Sequence, residues 1–255
     1  MSRSRTSAAE PPAERAALDR AFAAKWEQFA RLKRTEDTFE RELRGLRRWL
    51  MMPFIAFVIP IEDPAVRDQL AAWQSAFADM MPYLPQPVER AHVTLHYVGQ
   101  LRTSAWMLLP HTWERSALGW MAARAGAALK QCRQFTIGIG PLNAFANVLF
   151  AEVHDGEREC LRATRLRVRR ALPLRARPSS PWSYLPHVTL GFWGEQPAAP
   201  LVERLRPFRD AAPLPLRVSR VKLTIYWRDR LPLTPDILLR AREEVIAEFP
   251  LAPRE

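Results

Sequence analysis

Apolar residues recur at helical intervals through residues 11–50. Leu18, Phe22, Trp26 and Phe29 are spaced by 4, 4 and 3, and Phe39, Leu43, Leu46 and Leu50 repeat the rhythm. The stripe slips near Thr35, so two helices or one kinked helix both fit. Beyond residue 52 the period changes. FIAFVIP (54–60) is an unbroken apolar run, the pattern of a buried strand. Asp63-Pro64 supplies an N-cap and a first-turn proline for a helix reaching about Met80. HVTLHYV (92–98) reads as a strand, and residues 103–131 as helical with a break at Pro110. FTIGIG (135–140) and NVLFAEV (147–153) predict strands flanking a loop around 142–146. An Arg-rich helix over 157–171 follows, then the loop RPSSPWSYLP and a strand HVTLGFW (187–193). A short helix (202–208), a long alternating strand (217–227) and a last strand (244–251) complete the pattern.

Strands and helices are mixed without a βαβα repeat, which predicts an α+β fold with antiparallel sheet. One stretch occurs nearly twice: HVTLHYVG (92–99) and HVTLGFWG (187–194). Its recurrence predicts an internally duplicated, bilobal domain around a central cleft, spanning residues 52–252. Residues 1–10, small, polar and charged, predict a disordered tail, and 11–50 a helical N-terminal extension.

On a strand, alternate side chains share a face. His92, Thr94 and His96 then face one way, and Val93, Leu95 and Tyr97 the other. In the second copy His187, Thr189 and Gly191 oppose Val188, Leu190 and Phe192. The apolar face explains itself as core. The polar faces, brought together by a pseudo-twofold, place two imidazoles and two hydroxyls around one small volume. Imidazole both gives and takes protons near neutral pH, so a facing pair supplies a general acid and a general base. Hydroxyls donate to anionic oxygens. Together these groups suit a phosphodiester: one His activates the attacking oxygen, the other protonates the leaving oxygen, and the threonines hold the non-bridging oxygens. No metal or other cofactor is required.

Composition narrows the partners. The net charge is +11, and with lysine only at 25, 33, 130 and 222 nearly all of the positive charge is Arg. Arg suits phosphate-bearing partners, although a general bias toward Arg gives the same count. Aromatics near the second motif, Tyr184 and Trp193, are candidates for lining the substrate site together with His96. The Arg-rich helix fits either a backbone-binding surface or a solvated face. His111 and His154 belong to no pattern and are expected at the surface. Cys132 and Cys160 form neither a disulfide framework nor a zinc pattern and fit a reducing compartment. The first 20 residues lack the apolar run of a signal peptide, and the longest apolar stretch, Trp49 to Ile61, is too short to span a bilayer, so a cytoplasmic protein is expected.

The paired HVTL tetrapeptides, each closing a strand with an aromatic and a Gly, resemble the H-x-T/S-x motifs of the 2H phosphoesterase superfamily. That superfamily includes 2′-5′ RNA ligases and RNA 2′,3′-cyclic phosphodiesterases. The resemblance covers about residues 52–252 and leaves the first 50 residues outside. It implies His92 and His187 as the catalytic pair, with His92 the acid and His187 the base, and Thr94 and Thr189 as the phosphate-binding pair. It implies hydrolysis of a cyclic phosphate on an RNA end or nucleotide, with 2′-5′ ligation as the reverse reaction. The alternative is a nucleotide- or RNA-binding module of the same fold that turns nothing over. The N-terminal extension is expected to serve packing or self-association, with chemistry confined to residues beyond about 52.

Overall fold

The computed structural model describes residues 13–36, 53–80, 82–103, 111–156, 159–176, 184–227 and 242–253. The tail at 1–10, the second apolar stripe from Phe39 to Leu50, Pro110 and Trp182 lie outside the described residues.

Among the described residues ten strands form one sheet: β1 (Phe54–Pro60), β2 (Tyr83–Pro85), β3 (His92–Leu101), β4 (Thr112–Trp113), β5 (Phe135–Phe145), β6 (Val148–Asp155), β7 (His187–Trp193), β8 (Leu214–Val218), β9 (Arg220–Trp227) and β10 (Arg242–Pro250). Five helices accompany them among the described residues: α1 (Ala13–Ala30), α2 (Pro64–Ser75), α3 (Ser116–Leu129), α4 (Cys160–Ala171) and α5 (Ala198–Leu205). The main path runs β10-β9-β1-β3-β7-β6-β5-β8. It divides into two four-stranded antiparallel halves that meet between β3 and β7, the strands that carry the two octapeptides.

That junction is narrow. β3 and β7 share one residue pair, Val93 with Val188. Beyond it the strands diverge, and each gap receives a short strand: β2 pairs with the end of β7, and β4 with the end of β3. The closing glycines of the octapeptides belong to this arrangement. A Cβ at Gly99 would collide with the His111 carbonyl ahead of β4, and one at Gly194 with Pro82 ahead of β2. The duplication therefore extends from the motif to its surroundings.

Several elements differ from expectation in extent. Helix α2 is capped by Asp63, whose carboxylate accepts from the amides of Ala65 (2.9 Å) and Val66 (3.2 Å), but it ends at Ser75. Such a cap is worth about 1 kcal/mol. Within the described part of the helix expected over 103–131, the chain forms β4 and then α3. Residues 142–146 are mostly strand rather than loop, because Asn143 finds partners inside the fold: its amide donates to the Phe22 carbonyl (3.0 Å) and to Glu152 (2.7 Å). The long strand splits at Ser219 into β8 and β9, which pair with opposite halves. The helix expected at 202–208 is α5, one turn earlier, followed by a single 3-10 turn.

Helix α1 is docked. Phe22 and Phe29 are 1% exposed. The Phe22 ring lies 6.4 Å from Phe150 and 5.3 Å from the His154 imidazole, and Asp19 sits 3.4 Å from that imidazole. His154 is thus half-buried, and the surface position expected for it is corrected. The buried Glu152 carboxylate is held by Arg209, Asn143 and His154, and the Arg209 guanidinium also lies 5.4 Å from the Trp26 ring centre. A buried carboxylate needs this number of partners to remain tolerable. After the helix, the Thr35 hydroxyl donates to the Gly194 carbonyl (2.6 Å). The apolar stripe of the extension is therefore covered by the chain's own second half.

Candidate active site

His92 and His187 open β3 and β7, and in each the ring Nδ1 faces the carbonyl two residues back. His92 Nδ1 lies 2.8 Å from Arg90 O, and His187 Nδ1 lies 2.9 Å from Leu185 O. A carbonyl only accepts, so Nδ1 carries the proton in both rings. This leaves Nε2 of each ring with the lone pair, free to take or return a proton. Burial pushes both imidazoles below their ordinary pKa, and the nearby charge of His187 pushes His92 further in the same direction.

The Val93–Val188 pair sets the register of the centre. In an antiparallel pair the residue before one partner stands opposite the residue after the other. His92 therefore stands across from Thr189, and Thr94 across from His187. Both threonines are half-buried, and among the described residues neither hydroxyl has a hydrogen-bond partner. The register thus sets the two histidines and the two threonines about one local twofold.

Each imidazole rests on aromatics supplied by its own half. His92 stacks on Tyr226 (5.0 Å between centroids), which stacks in turn on Phe54 (4.7 Å). His187 meets Phe145 and Phe150 edge-on, at 5.5 and 5.3 Å. Sequence reasoning misses Phe145 because residues 142–146 read as a loop, and Phe150 is visible only as an apolar position of the strand NVLFAEV. Tyr226 is visible in the sequence only as the end of a strand.

A cavity of about 350 Å³ opens beside this centre, bordered among others by Thr94, His96, Tyr184, His187, Arg165 and Lys25. Tyr184 donates its hydroxyl to the Thr94 carbonyl (2.9 Å), while the Arg165 guanidinium lies over its ring at 4.2 Å. Burial pushes the Tyr184 hydroxyl well up, so it stays a donor. Arg165 belongs to the Arg-rich helix α4 yet is 2% exposed, so that helix is neither wholly solvated nor wholly a surface. The signal that would have found it is its position among Leu161, Thr164 and Val168 on the buried stripe.

Two expected site residues are displaced by one device. Opposite Phe57 and Val58 the register of β3 skips Leu95, and opposite Leu149 and Phe150 the register of β7 skips Leu190. These are matching β-bulges, and a bulge reverses the alternation beyond it. Trp193 consequently turns into the core. It is 2% exposed, edge-on to Phe77 at 5.8 Å and 5.1 Å from Tyr83, so its expected place in the substrate site is corrected. His96 still borders the cavity, but its ring is 1% exposed and its Nε2 lies 2.8 Å from the Ala176 carbonyl. It does not share the open face of His92 and Thr94. Its counterpart is Gly191 because the Tyr83 ring occupies the space a side chain would need.

Among the described residues no three His, Cys, Asp or Glu side chains gather into a metal-ligand set, and no helix is long and apolar enough to cross a membrane.

A family model described as "2'-5' RNA ligase superfamily" matches residues 61–230, a span that holds both motifs and every strand of the main sheet path except β1 and β10. The chain belongs to that superfamily, and the likeness to 2H phosphoesterases read from the paired motifs holds at the level of family. Solved structures share the fold at low identity. A structure titled "phosphoesterase" is 16% identical, with TM-score 0.53, covering 79% of this chain and 99% of its own. Escherichia coli LigT in complex with ATP is 17% identical, with TM-score 0.51 and coverage of 79% and 99%. TT0787 of Thermus thermophilus is 17% identical, with TM-score 0.50 and coverage of 79% and 100%. No curated protein matches the chain.

Proposed function

We propose that this chain is a metal-independent phosphodiesterase that opens cyclic phosphates on RNA ends or nucleotides, with reversible 2′-5′ ligation as the parallel reaction when a ribose 5′-hydroxyl replaces water. The observation that carries the reading is the pair of imidazoles that open β3 and β7, each with Nδ1 tied to the carbonyl two residues before it, on either side of the Val93–Val188 pair where the two strands meet. His187 Nε2 takes the proton of the attacking water as its oxygen bonds to phosphorus. His92, protonated, gives its Nε2 proton to the sugar oxygen as the P–O bond breaks. One phosphate monoester and one free hydroxyl result, with His187 left protonated and His92 neutral, and proton exchange with water restores the starting pair. Thr94 and Thr189 donate to the non-bridging oxygens, where negative charge accumulates. With a ribose 5′-hydroxyl in place of water, the same steps form a 2′-5′ link.

The superfamily match supports phosphoester chemistry, and ATP in LigT supports a nucleotide-sized ligand in this fold. The deciding experiment is turnover of a panel of 2′,3′-cyclic nucleotides and cyclic-phosphate RNA ends in EDTA, with the product phosphate located by ³¹P NMR. The wild type is expected to turn the panel over, and H92A and H187A to lose opposite limbs of its pH profile. Tight binding of the panel without turnover would replace this reading with a binding module.

A further inference from the structure

The junction between the two motifs is slight. β3 and β7 share one residue pair, Val93 with Val188, and each strand enters a bulge one residue beyond its threonine. A bulge interrupts the ladder where it occurs. Each threonine therefore stands between a lone cross-strand pair and an irregular stretch, and its hydroxyl keeps its place only if other groups hold the strand there. In the second motif those groups come from around β2. The Leu190 carbonyl, at the bulge, accepts from the Gln86 amide (2.7 Å), the Gln74 side-chain amide (2.7 Å) and the Tyr83 hydroxyl (3.2 Å).

In the first motif the hold comes from the other motif's own lead-in. Tyr184 stands three residues before His187, and its hydroxyl donates to the Thr94 carbonyl (2.9 Å). The ring is fixed in turn, with the Arg165 guanidinium 4.2 Å from its centre. The backbone between Tyr184 and His187 is tied to β6, because the Pro186 carbonyl accepts from the Val153 amide (3.2 Å). A short tether thus runs from the start of β7, through the Tyr184 side chain, to the backbone of Thr94. Duplication supplies no twin for it: the position three before His92 is Glu89, an exposed residue. The tether belongs to the corner of the site where Thr94 stands across from His187.

We propose that Tyr184 is a positioning residue, whose hydroxyl holds Thr94 through its carbonyl at the separation from His187 that a bound phosphate requires. Tyr184 borders the cavity, but its one O–H is already committed to the Thr94 carbonyl, so it acts through Thr94 rather than on the ligand. Small misplacements of a binding group cost affinity and rate steeply, which is why a single hydrogen bond to the backbone of that group matters. The inference rests on the proposed reading of the cleft as a phosphoester site, and its first readout is a binding measurement that needs no turnover.

Y184F deletes the hydroxyl and keeps the ring with its contact to Arg165, while T94V deletes the threonine hydroxyl and keeps a branched strand side chain. Adenosine 2′-phosphate is titrated by calorimetry into the full-length wild type, both variants and their combination, and kcat and KM are measured on 2′,3′-cyclic AMP. I137V, at a buried position of β5 that does not border the cavity, controls for a general loss of stability. Y184F is expected to weaken binding about 3–10-fold, the scale of one hydrogen bond. T94V should weaken it at least as much, and adding Y184F to T94V should change little more, because the two act on one contact. The kcat values should follow the same coupled pattern, with I137V unchanged in both measurements. Additive losses would mean that the Tyr184 hydroxyl meets the ligand directly or merely stabilises the fold, and would overturn the proposal. So would an unaffected Y184F, an unaffected T94V, or an equal loss in I137V. Coupled binding losses together with a wild type that hydrolyses no cyclic phosphate would sustain the tether and overturn the proposed activity.

Discussion

Val93 and Val188 form the single residue pair that joins the two halves of the sheet, and both are 0% exposed. Every paired feature of the site is arranged about this point. The two histidines precede it, the two threonines follow it, and the two bulges at Leu95 and Leu190 follow the threonines. One buried contact with a local twofold thus converts a repeated sequence into a facing pair of acid-base groups. The hydrogen bonds from Nδ1 to the Arg90 and Leu185 carbonyls fix both tautomers in the same sense.

Replacing either histidine should remove its proton-transfer step. H92A and H187A are each expected to lower kcat on a cyclic-phosphate substrate about 10²–10⁴-fold, the usual worth of a general acid or base. The double variant should fall little further, because the two groups act as a unit. Circular dichroism of the variants should match the wild type, since the rings are half-buried and their apolar strand neighbours are unchanged. Losses below about fivefold in both would exclude the pair as the acid and base.

The pH dependence has a definite direction. The free enzyme must hold one imidazole neutral and the other charged. Burial lowers both pKa values, and mutual repulsion lowers His92 further. The singly protonated pair is therefore most populated below imidazole's ordinary value of about 6.5. The plot of kcat/KM should be a bell with its maximum on the acid side of that value, falling on the alkaline side as the acid loses its proton. A bound phosphodiester adds negative charge and favours the imidazolium, so the kcat profile should lie at higher pH than the kcat/KM profile. A kcat/KM maximum above about 7.5 would contradict the site, because burial and repulsion both act to lower these pKa values.

The repeat can be read from the sequence because strand periodicity and an unusual residue choice coincide in it. His and Thr at alternate positions beside Val and Leu name both the face and its chemistry. The N-cap of α2 is legible for a similar local reason. Sequence reasoning fails where a distant residue decides the outcome. A bulge adds one residue to a strand without changing its composition, so nothing in HVTLHYVG or HVTLGFWG announces that His96 and Trp193 leave the open face. Asn143 reads as a loop residue until Glu152 and the Phe22 carbonyl are seen beside it. The stripe Phe22–Phe29 is visible as a buried helix face, but its cover comes from β5 and β6, far along the chain.

Chelation is expected to leave activity intact. The proposed mechanism places every proton on an imidazole and every oxyanion contact on a hydroxyl, and so routes no step through a metal ion. Initial rates on a 2′,3′-cyclic nucleotide should agree within about twofold with and without excess EDTA. Loss of rate in EDTA that returns with a divalent ion would require a different mechanism.

Phe22→Ala tests the docking of α1 directly. The ring is buried against Phe150 and His154, and its backbone carbonyl is held by Asn143. Truncation removes the transfer energy of the ring and leaves a cavity that α1 and the sheet cannot readily close, a cost of about 3–5 kcal/mol for a fully buried Phe. Urea unfolding should show a lower midpoint with a similar slope, or a separate early transition if α1 leaves before the sheet unfolds. The consequence for catalysis follows from one further contact. Phe150 is the ring against which His187 sits edge-on at 5.3 Å, so loss of its Phe22 support loosens the imidazole's wall. Hydrolysis of even a small cyclic nucleotide should therefore fall severalfold at temperatures where the variant remains folded. A destabilisation below about 1 kcal/mol with unchanged rates would show that α1 does not hold this position in solution.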